Sequence, residues 1–303
     1  MTLGLSGFTI AIQRAEQFLG LSVKVSTAVL YFAIALFLIL AIVYIMKIVK
    51  FPEEVKKEFY HPVKVSFFPT ISISLMLFSA VFISENISIS KYLWIAGTAI
   101  HFAFTLNIIS MWMTHKKFEI NHMNPAWFIP AVGNIIVPIA GVTHYAPELS
   151  WFFFSVGLFF WIALFVIFFN RIIFHNPLPD KMLPTLAILI APPAVGFVAL
   201  IRLTGEVGQF PMILYFTALF MLILLLVQFN LFRKIQFYLS WWAYSFPLAA
   251  ITIATVGMYK EKDIVFFKYL SWVLLIGLSA IILLLLIRTA VSIGQKEVCI
   301  EDD

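Results

Sequence analysis

Apolar stretches interrupted at nearly even intervals by proline constrain this chain more than any other feature. Pro69, Pro130, the pair Pro192 and Pro193, and Pro247 sit in the settings Phe67-Phe68-Pro69, Phe128-Ile129-Pro130, Ala191-Pro192-Pro193 and Ser245-Phe246-Pro247. The steps between them are 61, 62 and 55 residues. Between successive prolines lies one long apolar stretch with no internal proline. A repeat on this scale marks one supersecondary unit used several times. Kinked then straight reads as a helical hairpin repeated around an axis. A ring of kinked helices inside a ring of straight ones is a way to build a pore through a membrane.

Composition selects the solvent. The chain is 62% hydrophobic and 12% charged, whereas a soluble domain is roughly half apolar and a quarter charged. Such a chain cannot cover itself with polar surface, so lipid must surround it. The net charge of +5 does not point to nucleic acid, because the basic residues flank apolar stretches instead of forming one patch. The single cysteine, Cys299, lies in the polar tail, which excludes a disulfide framework and a cysteine metal site. Arg14 follows the first apolar run, so no cleavable signal peptide is evident.

A spanning helix needs roughly 20 apolar residues. Candidate spans cover 26–46, 65–84, 92–114, 125–142, 151–170, 183–203, 211–230, 240–258 and 265–287. The uncharged segment Met1 to Gln13 is a short tenth. One period back from Pro69 falls near residue 9, so the first inner helix is expected to bend there, with the chain beginning midway through it. With ten spans and the N-terminus inside, inner segments hold 13 Lys and Arg residues and outer ones 7. That bias places both termini in the cytoplasm. The whole chain, 1–303, reads as one transmembrane domain ending in a short cytoplasmic tail, 289–303.

The two helix classes differ in more than proline. Straight spans are dense in Leu, Ile and Phe, as in Phe152-Phe153-Phe154. Proline-bearing spans carry Ser72, Ser74, Gly133, Asn134, Gly196, Ser245 and Thr252, small residues that let backbones approach closely. A broken helix is tolerated in a membrane where it is buried or lines a water-filled cavity, so the kinks should share a central axis and expose backbone N–H groups to it.

Catalytic constellations are absent, and the chain reads as no enzyme and as needing no cofactor or metal. Of the six histidines only His101 lies well inside a span, most simply as a packed side chain. No carboxylate falls in the middle of any span, so no proton relay is apparent. Arg202 and Glu206, near a span end, snorkel or pair there. Asn124-Pro125-Ala126 reads as a helix start, with Asn124 capping and Pro125 first in the helix. Asn86-Ile87-Ser88 is a sequon in an outer loop, and Lys50 to Lys64 reads as an amphipathic cytoplasmic connector.

Together His61-Pro62, Phe67-Phe68-Pro69, Asn124 through Pro130 with Gly133-Asn134, Ala191 through Gly196, and Ser240 through Leu248 resemble one family. It is the family of TehA-type tellurite-resistance and C4-dicarboxylate transporters, which includes the plant slow-type anion channels. The resemblance implies an all-α fold of ten transmembrane helices, arranged as five hairpins in quasi-fivefold order around a central pore. It also implies a homotrimer in a bacterial inner membrane, conducting small anions such as chloride and nitrate. In that family a phenylalanine on the ninth helix blocks the pore, and here it aligns with Phe246. Phe68, Pro69, Phe128, Pro130, Gly133, Pro192, Pro193, Gly196 and Pro247 are the expected pore lining and kinks. A phenyl ring makes a hydrophobic constriction whose weakly positive edge penalises an anion less than a cation. A passive channel is the first reading. A secondary carrier of dicarboxylates or other organic anions, with His101 as the first suspect for proton coupling, is the second.

Overall fold

The computed structural model of the protein describes residues 1–295, which contain helices, turns and bends and no strand. Helix α1 spans Thr2–Phe18, α2 spans Ser26–Lys50 and the short α3 spans Pro52–Phe59. A 3₁₀ turn at Lys64–Phe67 leads into α4, Thr70–Phe82, and α5 follows at Ile87–Thr114. The next segment is broken throughout: 3₁₀ at Pro125–Trp127, α6 at Phe128–Val132, 3₁₀ at Gly133–Ile136 and α7 at Val137–Gly141. Helix α8 spans Pro147–Phe174. A long 3₁₀ stretch, Asp180–Ile190, joins α9 at Ala191–Thr204, and α10 covers Gln209–Val227. After the single turn α11, Phe229–Phe232, a 3₁₀ stretch at Leu239–Tyr244 joins α12, Ser245–Lys262, and α13 spans Val265–Gly294.

The proline-bearing segments are therefore not bent α-helices but 3₁₀-to-α joints. Pro69 immediately precedes α4, Pro192 and Pro193 follow the first residue of α9, and Pro247 is the third residue of α12. The first N–H groups of an α-helix lack intrahelical partners, so proline's missing N–H costs nothing at those positions. Carbonyls beside the joints are taken up by hydroxyls. Ser72 donates to the Pro69 carbonyl at 2.7 Å, Thr105 to that of Pro130 at 2.7 Å and Ser245 to that of Trp242 at 2.5 Å. The bend expected near residue 9 does not occur, since α1 is one unbroken helix.

Among the described residues eight segments are long and apolar enough to cross a membrane. Pro125–Gly141 is a shorter apolar helix, and α1 has 17 residues. In the three long segments with 3₁₀-to-α joints, 61%, 67% and 56% of the most apolar stretch is buried within the protein. In the straight helices α2, α5, α8, α10 and α13 the share is 11% to 33%. That difference follows from side-chain type, because close backbone packing needs the small residues that the jointed segments carry.

Helix α1 packs on α4, α4 on α7, α7 on α9, α9 on α12, and α12 back on α1. Each is backed by the straight helix that follows it in the chain: α1 by α2, α4 by α5, α7 by α8, α9 by α10, and α12 by α13. Glycines set these contacts. A β-carbon at Gly97 would lie 3.0 Å from the Ser72 carbonyl oxygen, and one at Gly157 would lie 2.9 Å from the Ile135 nitrogen.

Local signals behave as their chemistry dictates. The Asn86 side chain accepts from the N–H groups of Ser88 and Ile89 and caps α5, and Asn124 accepts from Ala126 at 2.9 Å, with Pro125 first in its turn. Helix α3 is the amphipathic connector, held to α2 by Lys47 and Glu58 at 2.8 Å. Because α13 runs to Gly294, the first residues of the expected tail are helical. Residues 296–303, with Cys299, lie outside the described residues.

Candidate functional site

A cavity of about 260 Å³ lies where the joints meet. Every jointed segment and α1 contribute to its wall: Gly4 from α1; Phe67, Thr70 and Ile73; Phe128, Val132, Gly133 and Ile136; Thr185, Ile188, Pro192 and Val195; Trp242, Phe246 and Pro247. No Asp, Glu, Lys, Arg or His is among the lining residues. At about 30 Å³ per liquid water, the cavity holds several waters or one partly hydrated ion. Its hydroxyls are engaged within the protein: Thr70 donates to the Phe67 carbonyl and Thr185 to that of Met182, each at 2.6 Å, Ser240 donates to the Lys181 carbonyl at 2.5 Å, and Thr2 meets the Ser74 hydroxyl at 3.0 Å.

Five of the residues singled out from the sequence meet at this wall: Phe128, Gly133, Pro192, Phe246 and Pro247. Pro69, Pro130, Pro193 and Gly196 stand in the same segments without lining the cavity. Phe68 turns away from it. Its ring packs edge-on against Phe59 at 5.1 Å, and against Tyr44 and Phe104 at 6.1 and 6.3 Å, while the preceding Phe67 faces the cavity. The identity of the lining residues was not legible from the prolines alone. A helical stride was the available signal, since Thr185, Ile188, Pro192 and Val195 lie three, four and three residues apart on one face.

Phe246 lies in the first turn of α12 and is half-buried, with part of its ring on the cavity. Two glycines of α1 make room for that turn. A β-carbon at Gly4 would lie 1.9 Å from Ser245 Oγ, and one at Gly7 would lie 3.2 Å from Phe246 Cδ2. At the joints the prolines do not leave the cap N–H groups free. The N–H groups of Phe68, Val137, Ala191 and Ser245 are bonded to the carbonyls of Val65, Asn134, Ile188 and Trp242. The 3₁₀ turns before each joint supply those acceptors.

His101 is fully buried behind the wall. Its Nδ1 is 3.0 Å from Ser72 Oγ, and the Ser72 hydroxyl already donates to the Pro69 carbonyl. Ser72 therefore accepts, and Nδ1 carries the proton. The other ring nitrogen has no partner and sits against Gly133, where a β-carbon would come within 2.7 Å of it. No carboxylate bonds to this ring among the described residues; from α5 it reaches Ser72 of α4 on one side and the Gly133 turn on the other.

Charge collects at the two ends of the jointed segments. At one end Arg14, Arg202, Lys260 and Glu261 line a second cavity of about 300 Å³. Arg202 does not pair with Glu206, contrary to their spacing; it faces this cavity with Arg14. At the other end His61 has Lys64, His122, Lys117 and Lys181 as its charged neighbours. Burial first, and then those charges, hold the His61 imidazole below its ordinary pKa. Among the described residues no group of three or more His, Cys, Asp or Glu side chains could hold a metal ion.

The profile of a family described as "SLAC1: Voltage-dependent anion channel" matches residues 1–290. The chain belongs to this family. Similar proteins in the SLAC1 family include the S-type anion channel SLAH3 of Arabidopsis thaliana, 32% identical over 251 residues, covering 82% of this chain and 39% of the plant protein. An uncharacterized transporter of Methanocaldococcus jannaschii is 30% identical over 272 residues, covering 81% of this chain and 79% of the archaeal one. The tellurite resistance protein TehA homolog of Haemophilus influenzae is 26% identical over 260 residues, covering 85% of this chain and 79% of that protein. Against the longer plant relatives SLAH3 and SLAH2 the chain spans 39% and 52% of their length.

Proposed function

We propose that this protein is a passive channel for small anions, such as chloride and nitrate, through an uncharged path that the phenyl ring of Phe246 obstructs. The observation that carries this reading is the cavity walled by α1 and all four jointed segments without one ionisable side chain. In this reading the closed circuit of packing, α1 to α4 to α7 to α9 to α12 and back, is a quasi-fivefold ring of five hairpins with ten transmembrane helices. The lining positions Phe128, Gly133, Pro192 and Pro247 set the bore, and Pro69, Pro130, Pro193 and Gly196 shape the segments behind it.

Anion preference then has a physical source. A carboxylate in the bore would attract cations, and none lines it. Basic side chains at both ends raise the local anion concentration before entry. The uncharged bore binds weakly, which conduction requires. S-type anion channels among the relatives support the same substrate class. The protein sits in a bacterial inner membrane with both termini cytoplasmic. It assembles as a homotrimer through its straight helices, of which α2 is the least buried.

Phe246→Ala is the test. Anion current in planar bilayers is expected to rise severalfold or more, because the substitution removes the ring from the cavity wall. A variant that folds and conducts no more than wild type removes the gate assignment. The second reading, a proton-coupled carrier of C4-dicarboxylates or other organic anions, needs an ionisable relay, and among the described residues the His101 ring bonds to Ser72 alone. A reversal potential that follows the pH gradient would favour that carrier.

A further inference from the structure

The cavity at the Arg14 end has a construction of its own. It is walled by α1, α9 and α12, the same helices that carry Gly4, Val195 and Phe246 into the central cavity. From Gly4 to Arg14 is ten residues of α1, about 15 Å at 1.5 Å per residue. The two cavities are thus successive stations along one set of helices. Beside its charged residues the lining includes the apolar side chains of Phe197, Val198, Ile201, Ile253 and Val256.

Its charges are unequally neutralised. Lys260 and Glu261 pair with each other at 2.7 Å. Arg14 has a neutral partner, Gln17 Oε1 at 3.3 Å, and lies 5.9 Å from the centre of the Phe18 ring. Arg202 makes no hydrogen bond or ion pair among the described residues. The nearest other carboxylate on α1, Glu16, is used elsewhere, bonded to the backbone and hydroxyl of Ser26 at 2.8 and 2.5 Å. Two guanidiniums of like charge that repel one another are thus held around one cavity on separate helices, with no acid assigned to either. Such an arrangement is unfavourable unless an anion enters it.

We propose that Arg14 and Arg202 form a capture site for small planar oxyanions, with nitrate and carboxylate as the ligand class, at the mouth of the conduction path. The planar fork of a guanidinium donates two parallel N–H bonds to such an anion, a geometry a spherical halide cannot use. The site would therefore discriminate between anions before they reach the uncharged bore. This inference rests on the channel reading for its role in permeation, but the binding itself does not.

The test has two arms on the full-length protein, with the variants Arg14→Gln/Arg202→Gln and Arg202→Lys. In detergent, thermal unfolding is followed in sodium nitrate and in sodium chloride at equal concentration. The wild-type protein should be more stable in nitrate relative to chloride than the double variant is, a comparison that cancels bulk salt effects. In bilayers, in a Phe246→Ala background, the half-saturating nitrate concentration applied from this face should rise at least about tenfold in the double variant, which loses the charge-assisted contacts of both guanidiniums. Arg202→Lys keeps the charge and removes the fork, so it should lose the preference for nitrate over chloride. It also serves if the double variant fails to fold.

Equal nitrate-specific stabilisation in wild type and variants overturns the site. So does Arg202→Lys with wild-type anion preference. A conducting Phe246→Ala protein whose nitrate dependence ignores both arginines leaves the channel standing and removes the capture site. A silent Phe246→Ala protein with arginine-dependent nitrate stabilisation does the reverse.

Discussion

Replacing Gly7 by alanine tests whether the ring of Phe246 stands in the path of ions. The new β-carbon would lie 3.0 Å from Ala249 Cβ and 3.2 Å from Phe246 Cδ2. Comfortable carbon contacts are about 3.5–4.0 Å, so one neighbour must give. Ala249 is fully buried, and its Cβ moves only with the backbone of α12. Phe246 has the open cavity beside it. The ring therefore yields first, by a few tenths of an ångström toward the cavity. Overpacking a core costs about 1–3 kcal/mol, and the lower end applies because the ring has space to enter. Anion flux into liposomes should fall in Gly7→Ala. In a Phe246→Ala background there is no ring to displace, so the same substitution should leave flux nearly unchanged. The double-mutant cycle should show coupling of about 0.5–3 kcal/mol. If Gly7→Ala lowers flux by the same factor with and without the ring, Phe246 is not the obstruction it acts through.

Other outcomes follow from packing and titration. Gly157→Ala should destabilise the protein by about 1–3 kcal/mol, since its β-carbon would meet the Ile135 nitrogen at 2.9 Å and the Val132 carbonyl at 3.1 Å, both backbone. Gly196→Ala meets only the end of the Leu214 side chain at 3.2 Å, so its melting temperature in detergent should stay close to wild type. Ser72→Ala leaves His101 Nδ1 without its hydroxyl partner, while the Pro69 carbonyl keeps the N–H of Ile73 at 3.0 Å; at about 1–3 kcal/mol for one orphaned buried group, equilibrium unfolding should show a loss in that range. His61 Nδ1 accepts from the N–H groups of Val63 and Lys64, and its pKa lies below the ordinary 6.5. The folded state therefore binds fewer protons there than the unfolded state, and the contribution is complete above pH 6.5 and lost as pH falls through the depressed value. His61→Asn keeps an acceptor without a titrating ring, so the drop in melting temperature on acidification from pH 7 to 5 should be smaller than in wild type; an identical acid response would refute this assignment.

Much of this protein was legible before any coordinates. Composition required a lipid environment, because 12% charged residues cannot cover such a chain. The spacing of Pro69, Pro130, Pro192 and Pro247 predicted alternating kinked and straight segments, and in the eight long segments the buried shares divide along that alternation. These features are local or periodic, and the physics that governs them, hydrogen-bond loss at proline and burial of apolar surface, acts at each position separately.

Tertiary structure decided the rest. Proline announces a break but not its form: the joints are 3₁₀-to-α changes because the N–H groups of Phe68, Ala191 and Ser245 find 3₁₀ carbonyls. Whether Phe67 or Phe68 faces the cavity depends on the rotation of a turn about its axis, which neighbouring helices set. Gly4 and Gly7 acquire meaning only against Ser245 and Phe246, more than two hundred residues away. Arg202, four residues from Glu206, joins Arg14 instead. Side chains distant in the chain meet only when packing fixes the depth and rotation of each helix, and no short stretch of residues carries that information.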